Sequence, residues 1–186
     1  MTRIPLATRD SIPADQRAAF DAFVQERGSV PSHGPFSIMI NVPEMMQRGE
    51  HLRAYLRGDA SSLPPKIREL AMILTAREMD CQFIWHAHVG HARQAGVRDD
   101  IVDHLRDKQE LTHLAPDEAA VVTYGRELLR TRQVSQATFD AALAQFGTRG
   151  LIELTNLMGY YALLAFNMNA FEVGLPDDTP EVPLPV

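Results

Sequence analysis

The chain has 186 residues, 45% hydrophobic and 23% charged, with a formal net charge of −6 and a pI near 5.6. That length supports one domain with a real core. The acidic balance argues against nucleic acid and anionic membranes as partners, because both are bound through basic surfaces. A single cysteine excludes an intrachain disulfide framework and a multi-cysteine zinc site.

The first residues, MTRIPLATRDSIPADQ, lack the apolar stretch of a secretory signal. The longest apolar run, within Leu157–Phe171, is interrupted by Gly159, Asn167 and Asn169, so no membrane span is expected. These features predict a cytoplasmic protein with a reduced thiol. Ser11 reads as the cap of a first helix that buries Ala18, Phe20, Phe23 and Val24 and ends near Gly28. GSVPSHGP, residues 28–35, reads as a loop. His33 within it is either solvated or a lid residue over a pocket. Phe36–Asn41 is a short apolar run, and a second helix follows over Pro43–Leu56, with Met45, Met46, Leu52 and Leu56 near helical spacing.

Pro64 and Pro65 open the stretch on which most of the chemistry depends, LPPKIRELAMILTAREMDCQFIWHAHVGHARQAGV, Leu63–Val97. Two helical segments meet near Met79 and Asp80. Glu69 lies beside Leu70, Ile73 and Ala76. It is either a partly buried proton carrier or a surface acid paired with Lys66, Arg68 or Arg77. The second segment, Cys81–Ala95, places Cys81, His88 and His91 on one stripe, because seven residues make almost two turns. Cys81 then lies roughly 10 Å from His88 along the axis, too far for a direct bond without distortion of the helix start. His86 points to another surface. His88 is a candidate acid/base, with a core histidine as the alternative, and Ile84 beside it supplies an apolar floor together with Phe83 and Trp85. A metal held by Glu69, His88 and His91 is conceivable on spacing, but the ligand pattern is weak, and no metal or cofactor is expected.

Beyond Gly96, which suits a left-handed cap, the pattern predicts helices over Asp99–Leu105, Pro116–Arg130 and Gln136–Phe146, with Ser135 as a cap and Gly147 as a stop. Thr148–Phe171 is apolar almost all round, which predicts cover from a second subunit. Residues 172–186 carry four prolines and read as an extended tail that frays or wraps a neighbour. Arg68-Glu69-Leu70 is echoed by Ile152-Glu153-Leu154, a hint of a duplicated helical hairpin. No run of period two occurs, so the expected fold class is all-α. It divides into N-terminal helices and loop (1–62), a core (63–176) and a tail (177–186).

These residues resemble the carboxymuconolactone decarboxylase family, which also contains the AhpD-like alkylhydroperoxidases. The likeness rests on Arg68-Glu69-Leu70, on Cys81-Gln82-Phe83-Ile84-Trp85 with His88, on ARQAGV ending at Val97, and on Leu151–Pro176. It implies an AhpD-like helical bundle, assembled as a trimer or hexamer, with sites among helices and near subunit interfaces. It also implies Glu69, Cys81 and His88 as catalytic residues, and the residues themselves read as a pocket with Phe83, Ile84, Trp85, His91 and His33 around a small-molecule substrate. In the thiol peroxidases of the family a second cysteine stands where this chain has Ile84, and the decarboxylase branch typically carries an acid there. The resemblance therefore leaves three functions open. One is lyase or proton-transfer chemistry on a small acid or lactone. Another is a redox role for the lone Cys81 with an external thiol. The third is a ligand-binding oligomer without catalysis.

Overall fold

The computed structural model describes residues 2–176 and 181–186. Two short 3-10 turns, Arg9–Ser11 and Ala14–Gln16, precede eight helices: α1 Arg17–Arg27, α2 Pro35–Met39, α3 Pro43–Arg57, α4 Pro65–Glu78, α5 Gln82–Gln94, α6 Asp99–Arg106, α7 Pro116–Thr131 and α8 Gln136–Ala170. The described residues contain no strand, so the fold is all-α.

α4 is the centre of the molecule. Ten of its residues are buried, from Ile67 to Arg77, and α5, α7 and α8 pack around it. A helix buried on all sides shows little amphipathic period, which is why its apolar residues run together in the sequence. Its N-terminus uses Pro65 in the first turn, where the missing N–H costs nothing. At its C-terminus the chain reverses through Asp80, which adopts φ 47°, a left-handed position usually left to glycine. The Cys81 N–H donates to the Ala76 carbonyl at 2.8 Å and Asp80 N–H to Arg77 at 3.2 Å, a Schellman-type reversal. Arg77 and Lys108 both pair with the Asp80 carboxylate and hold the turn. The spacing predicts that the next helix starts at Cys81. The structure makes Cys81 its cap, with extended backbone, because the residue is still completing the reversal. At its far end α5 closes on Gly96, φ 95°, with Val97 N–H bonded to Ala92.

Other expectations change in detail. α1 starts at Arg17 and not just after Ser11, because Ile12 and Pro13 are extended and the chain first makes the two 3-10 turns. Ala18 is exposed, while Phe20 and Phe23 are buried. The run 36–41 is mostly helical, opened by Pro35. Met45 and Leu52 face outward, and Met46 and Leu56 carry the buried face of α3. The helices on either side of Gly147 form one element with a kink, since Gly147 sits at φ 63°, ψ 177°.

The tail differs most from expectation. Residues 181–186 lie against the chain's own α5, not free or on a neighbour; residues 177–180 lie outside the described residues. The Gln82 side chain donates to the Leu184 carbonyl at 2.6 Å and accepts from the Leu184 N–H at 2.9 Å. The Trp85 indole donates to the Val182 carbonyl at 3.3 Å, and Leu184 is buried. A side-chain amide that satisfies both backbone groups of one residue acts like a strand partner, which an otherwise unpaired proline-rich segment needs. The paired echo has two different uses. Glu69 meets a histidine, whereas Glu153 accepts hydrogen bonds from Tyr55, Ser61, Ser62 and Arg149 and ties α8 to the 58–63 connection.

Candidate functional site

The reversal at Asp80 folds α5 back along α4. Glu69 lies ten residues before Met79 and His88 nine after it, so each stands about 15 Å from the turn at 1.5 Å per residue. The two side chains meet: His88 Nδ1 and Glu69 Oε2 are 2.9 Å apart. The other partners considered for Glu69 are engaged elsewhere. Arg68 donates to the Gly58 carbonyl, Lys66 pairs with Glu118, and Arg77 pairs with Asp80. Arg57 alone approaches the free side of the carboxylate, 4.0 Å from Oε1.

A carboxylate against Nδ1 fixes the imidazole tautomer. Nδ1–H donates, and Nε2 carries the lone pair. His88 itself is buried and lines a cavity of about 110 Å³. The walls come from four helices: Pro35 and Phe36 of α2, Arg53 and Arg57 of α3, Phe83, Ile84 and Ala87 of α5, and Tyr161 and Leu164 of α8. The Tyr161 ring stands edge-on to the imidazole, with centroids 5.0 Å apart. Burial pushes the His88 pKa below its ordinary value of 6.5; the bond to Glu69 resists this, and the Arg57 charge adds to the depression. His88 is therefore a neutral base at neutral pH, oriented by an acid that would stabilise the imidazolium once it forms. Burial pushes the Tyr161 hydroxyl well up, so that it stays protonated.

Loop 28–35 reaches the site through Gly34. Its φ is 72°, and a Cβ there would stand 3.0 Å from the Phe83 ring. Only glycine allows both the left-handed backbone and this approach, which seats Pro35 and Phe36 over the cavity. His33, one residue earlier, is exposed and bonds Ser32, so the loop contributes a wall while its histidine faces water.

The remaining candidates are dispersed. Phe83 and Ile84 line the cavity. Trp85 is buried behind them and engaged with the tail. His91 is exposed; its ring lies 6.3 Å from that of His88, but it lines a separate cavity with His86, Gly90 and Glu181. Cys81 has no exposed surface and does not line the His88 cavity. Burial pushes its thiol up, against a smaller opposing pull from the Ile84 and Phe83 amides. Among the described residues no group of three His, Cys, Asp or Glu side chains is arranged to hold a metal ion. Arg53, Arg57, Phe36 and Tyr161 were not singled out from the sequence. The only available signal was Arg53 and Arg57 one turn apart at the end of α3, which also fits an ordinary solvated face.

Residues 43–127, from α3 into α7, match the Carboxymuconolactone decarboxylase family. The whole chain takes the AhpD-like fold of its structural neighbours. An alkylhydroperoxidase AhpD core from Ralstonia eutropha JMP134, an uncharacterized peroxidase-related protein, superposes with a TM-score of 0.70 at 16% identity, over 95% of this chain and 93% of that one. A peroxidase-related protein from Silicibacter sp. TM1040 gives a TM-score of 0.69 at 17% identity, covering 96% and 93%. The debrominase Bmp8, as a cysteine variant in complex with 2,3,4-tribromopyrrole, gives 0.66 at 16%, covering 94% and 91%. At such identities the likeness is one of fold. No curated protein matches the sequence. The matched segment contains both members of the acid–histidine pair, Glu69 and His88, and the arginines beside them. Among the described residues no helix is long and apolar enough to cross a membrane.

Proposed function

We propose that the protein is a carboxymuconolactone decarboxylase-like enzyme that moves a proton on a small organic acid or lactone, with His88 as the acid/base and Glu69 as its orienting partner. The observation that carries this reading is the 2.9 Å contact between Nδ1 and Glu69, which leaves Nε2 as a base on a largely apolar cavity. Nε2 takes a proton from a carbon next to a carbonyl. The C–H electron pair becomes the enolate, and the imidazolium returns the proton to another carbon. In a decarboxylation the proton is drawn from solvent: Nε2 takes it up beside Glu69, the electron pair of the breaking C–C bond moves to the neighbouring carbon as carbon dioxide leaves, and the imidazolium protonates that carbanion and returns to neutral. Glu69 offsets the positive charge in both cases, and a positioned acid/base of this kind contributes about 10²–10⁴ in rate.

The alternative is a thiol-dependent redox protein using Cys81, favoured by the likeness in fold to an alkylhydroperoxidase core. Its support is weaker on physical grounds. The thiolate is the reactive form, and this thiol is buried and shifted upward, and the sequence holds no second cysteine to resolve it.

The test is proton NMR in D₂O with unsaturated lactones and carbonyl-bearing acids as candidate substrates. Substrate-specific deuterium incorporation or decarboxylation, lost in His88→Gln, is expected. Hydroperoxide turnover with a dithiol, lost in Cys81→Ser and unaffected by His88→Gln, would replace this reading with the redox one.

A further inference from the structure

The polar side chains that line the His88 cavity are Arg53, Arg57, His88 and Tyr161. All but Tyr161 face a carboxylate. Arg53 pairs with Glu50, His88 bonds Glu69, and Arg57 stands 4.0 Å from the other oxygen of Glu69. Tyr161 is 1% exposed. The Tyr55 and Tyr124 hydroxyls bond Glu153 and Thr155, whereas that of Tyr161 makes no hydrogen bond among the described residues. Its chain neighbour Tyr160 shows the other fate of a buried phenol. That hydroxyl is also without a partner, but it is sealed in the core against Gly49 of α3, where a Cβ would stand 3.7 Å from it. Tyr161 instead lines the cavity and meets the His88 imidazole edge-on. Besides burial, the charges that act on its hydroxyl include Arg57, Glu69 and Arg53, two on the cavity wall and one behind His88.

Removing a proton from a carbon next to a carbonyl needs more than a base. Charge collects on the carbonyl oxygen, and a fixed donor in a site shielded from water must meet it. With both arginines set against carboxylates, the phenol is the uncommitted donor on the wall. We propose that the Tyr161 hydroxyl is the oxyanion donor of this site, a catalytic residue that hydrogen-bonds the substrate's carbonyl oxygen while His88 Nε2 takes the proton. The proposal rests on the proton-transfer reading of the same site and gives it a second catalytic group. The C–H electron pair becomes the new C=C bond, the carbonyl π pair moves onto oxygen, and the phenol keeps its own proton throughout. The reverse movement of electrons takes the proton back from the imidazolium. Burial suits this division of labour, since it keeps the phenol protonated and the imidazole neutral at one pH. The core fixes the group in place: Leu157, Met158 and Ala165 of the same helix are fully buried.

The cavity volume, about 110 Å³, is below the ~150 Å³ of an apolar cavity that holds benzene, so the probe must be smaller than a six-membered ring. Nitroethane is such a carbon acid, and its anion, the nitronate, carries charge on oxygen as an enolate does. The full chain should accelerate deuterium exchange at the nitroethane α-carbon, followed by proton NMR in D₂O. Tyr161→Phe, which removes a single oxygen, should lower kcat about 10²–10³-fold, the loss expected for one oxyanion donor, with KM within a few-fold. Calorimetry at alkaline pH, where the nitronate dominates, should show it held about 10- to 100-fold more weakly by Tyr161→Phe. His88→Gln should hold it within a few-fold of the parent chain. Retained binding of neutral nitroethane shows that Tyr161→Phe is folded, and Tyr160→Phe should leave both measurements within a few-fold. Exchange that needs His88 but is unaffected in Tyr161→Phe, no saturable nitronate binding, or equal losses in Tyr160→Phe and Tyr161→Phe would overturn the proposal. Tyr161-dependent nitronate binding, with exchange that is absent from the parent or survives His88→Gln, would instead refute the proton-transfer reading and leave the donor standing.

Discussion

Glu69 Oε2 and His88 Nδ1 lie 2.9 Å apart, each about equally far in sequence from Met79, where the chain begins its reversal. The pair has a pH signature. Burial holds the folded-state pKa of His88 below 6.5. The native state therefore binds fewer protons than the unfolded chain in that range, and this contribution to stability is complete above the ordinary value and lost as pH falls below it. Denaturant midpoints should decrease as pH is lowered from about 6.5, and His88→Phe should flatten that part of the profile. A slope unchanged in the variant would show that His88 does not set it. Glu69→Gln removes the charge that resists the shift, so the imidazole should titrate lower still, as followed by nitrogen-detected NMR.

Cys81 should be nearly inert in the native protein. It is fully buried and its thiol is shifted upward. Iodoacetamide labelling at pH 8 should be about 10²-fold slower than in denaturant, limited by local opening. Labelling at a comparable rate in both states would return the thiol to the list of reactive groups.

Glu153 should be a stability residue without a role in turnover. Burial pushes its carboxyl up, but donations from the Tyr55 and Ser62 hydroxyls, the Ser62 amide and Arg149 outweigh this and hold it at about 2, against an ordinary 4.5. A depressed carboxyl stabilises above its unfolded pKa, so its contribution is lost as pH falls from 4.5 through about 2. Glu153→Ala should cost roughly 2–3 kcal/mol at neutral pH, from lost charge-assisted bonds and the donors left unpaired, and much less near pH 3. An equal loss at both pH values would contradict this assignment.

Removing residues 181–186 should leave a folded protein with altered Trp85 surroundings. The tail supplies the acceptor for the indole and both backbone partners of Gln82. A red shift in Trp85 emission is expected, with a fall in Tm of several degrees, since about 1 kcal/mol moves Tm by roughly 2–4 °C at this size. Unchanged emission would mean that the strap does not sit on Trp85 in solution.

The outer face of α8 carries Ile152, Asn156, Gly159, Leu163 and Phe166 in steps of four and three, and Ile152, Leu163 and Phe166 are 58%, 44% and 63% exposed. That spacing is a helix–helix seam, and we propose a second copy of the chain as its cover. Sedimentation should detect an oligomer, weakened by Phe166→Asp. A monomer at tens of micromolar would leave the face unexplained.

Much of this was legible in the sequence, because local rules fix local structure. Proline at the start of α4 and α7, Gly96 after α5 and Ser135 before α8 mark element ends through backbone geometry that does not depend on the rest of the fold. The Glu69–His88 pair was also within reach, because two helices joined by a tight reversal bring residues equidistant from the turn together. Only the tertiary structure could decide the remainder. Arg57, Phe36 and Tyr161 come from three helices whose mutual placement depends on how the whole core packs. Sequence could not show which arginine would be neutralised, since Arg53 and Arg57 are alike until Glu50 takes one of them. The exclusion of Cys81 from the cavity likewise follows from burial at the reversal, a property of the packed hairpin and not of the spacing between the cysteine and the histidine.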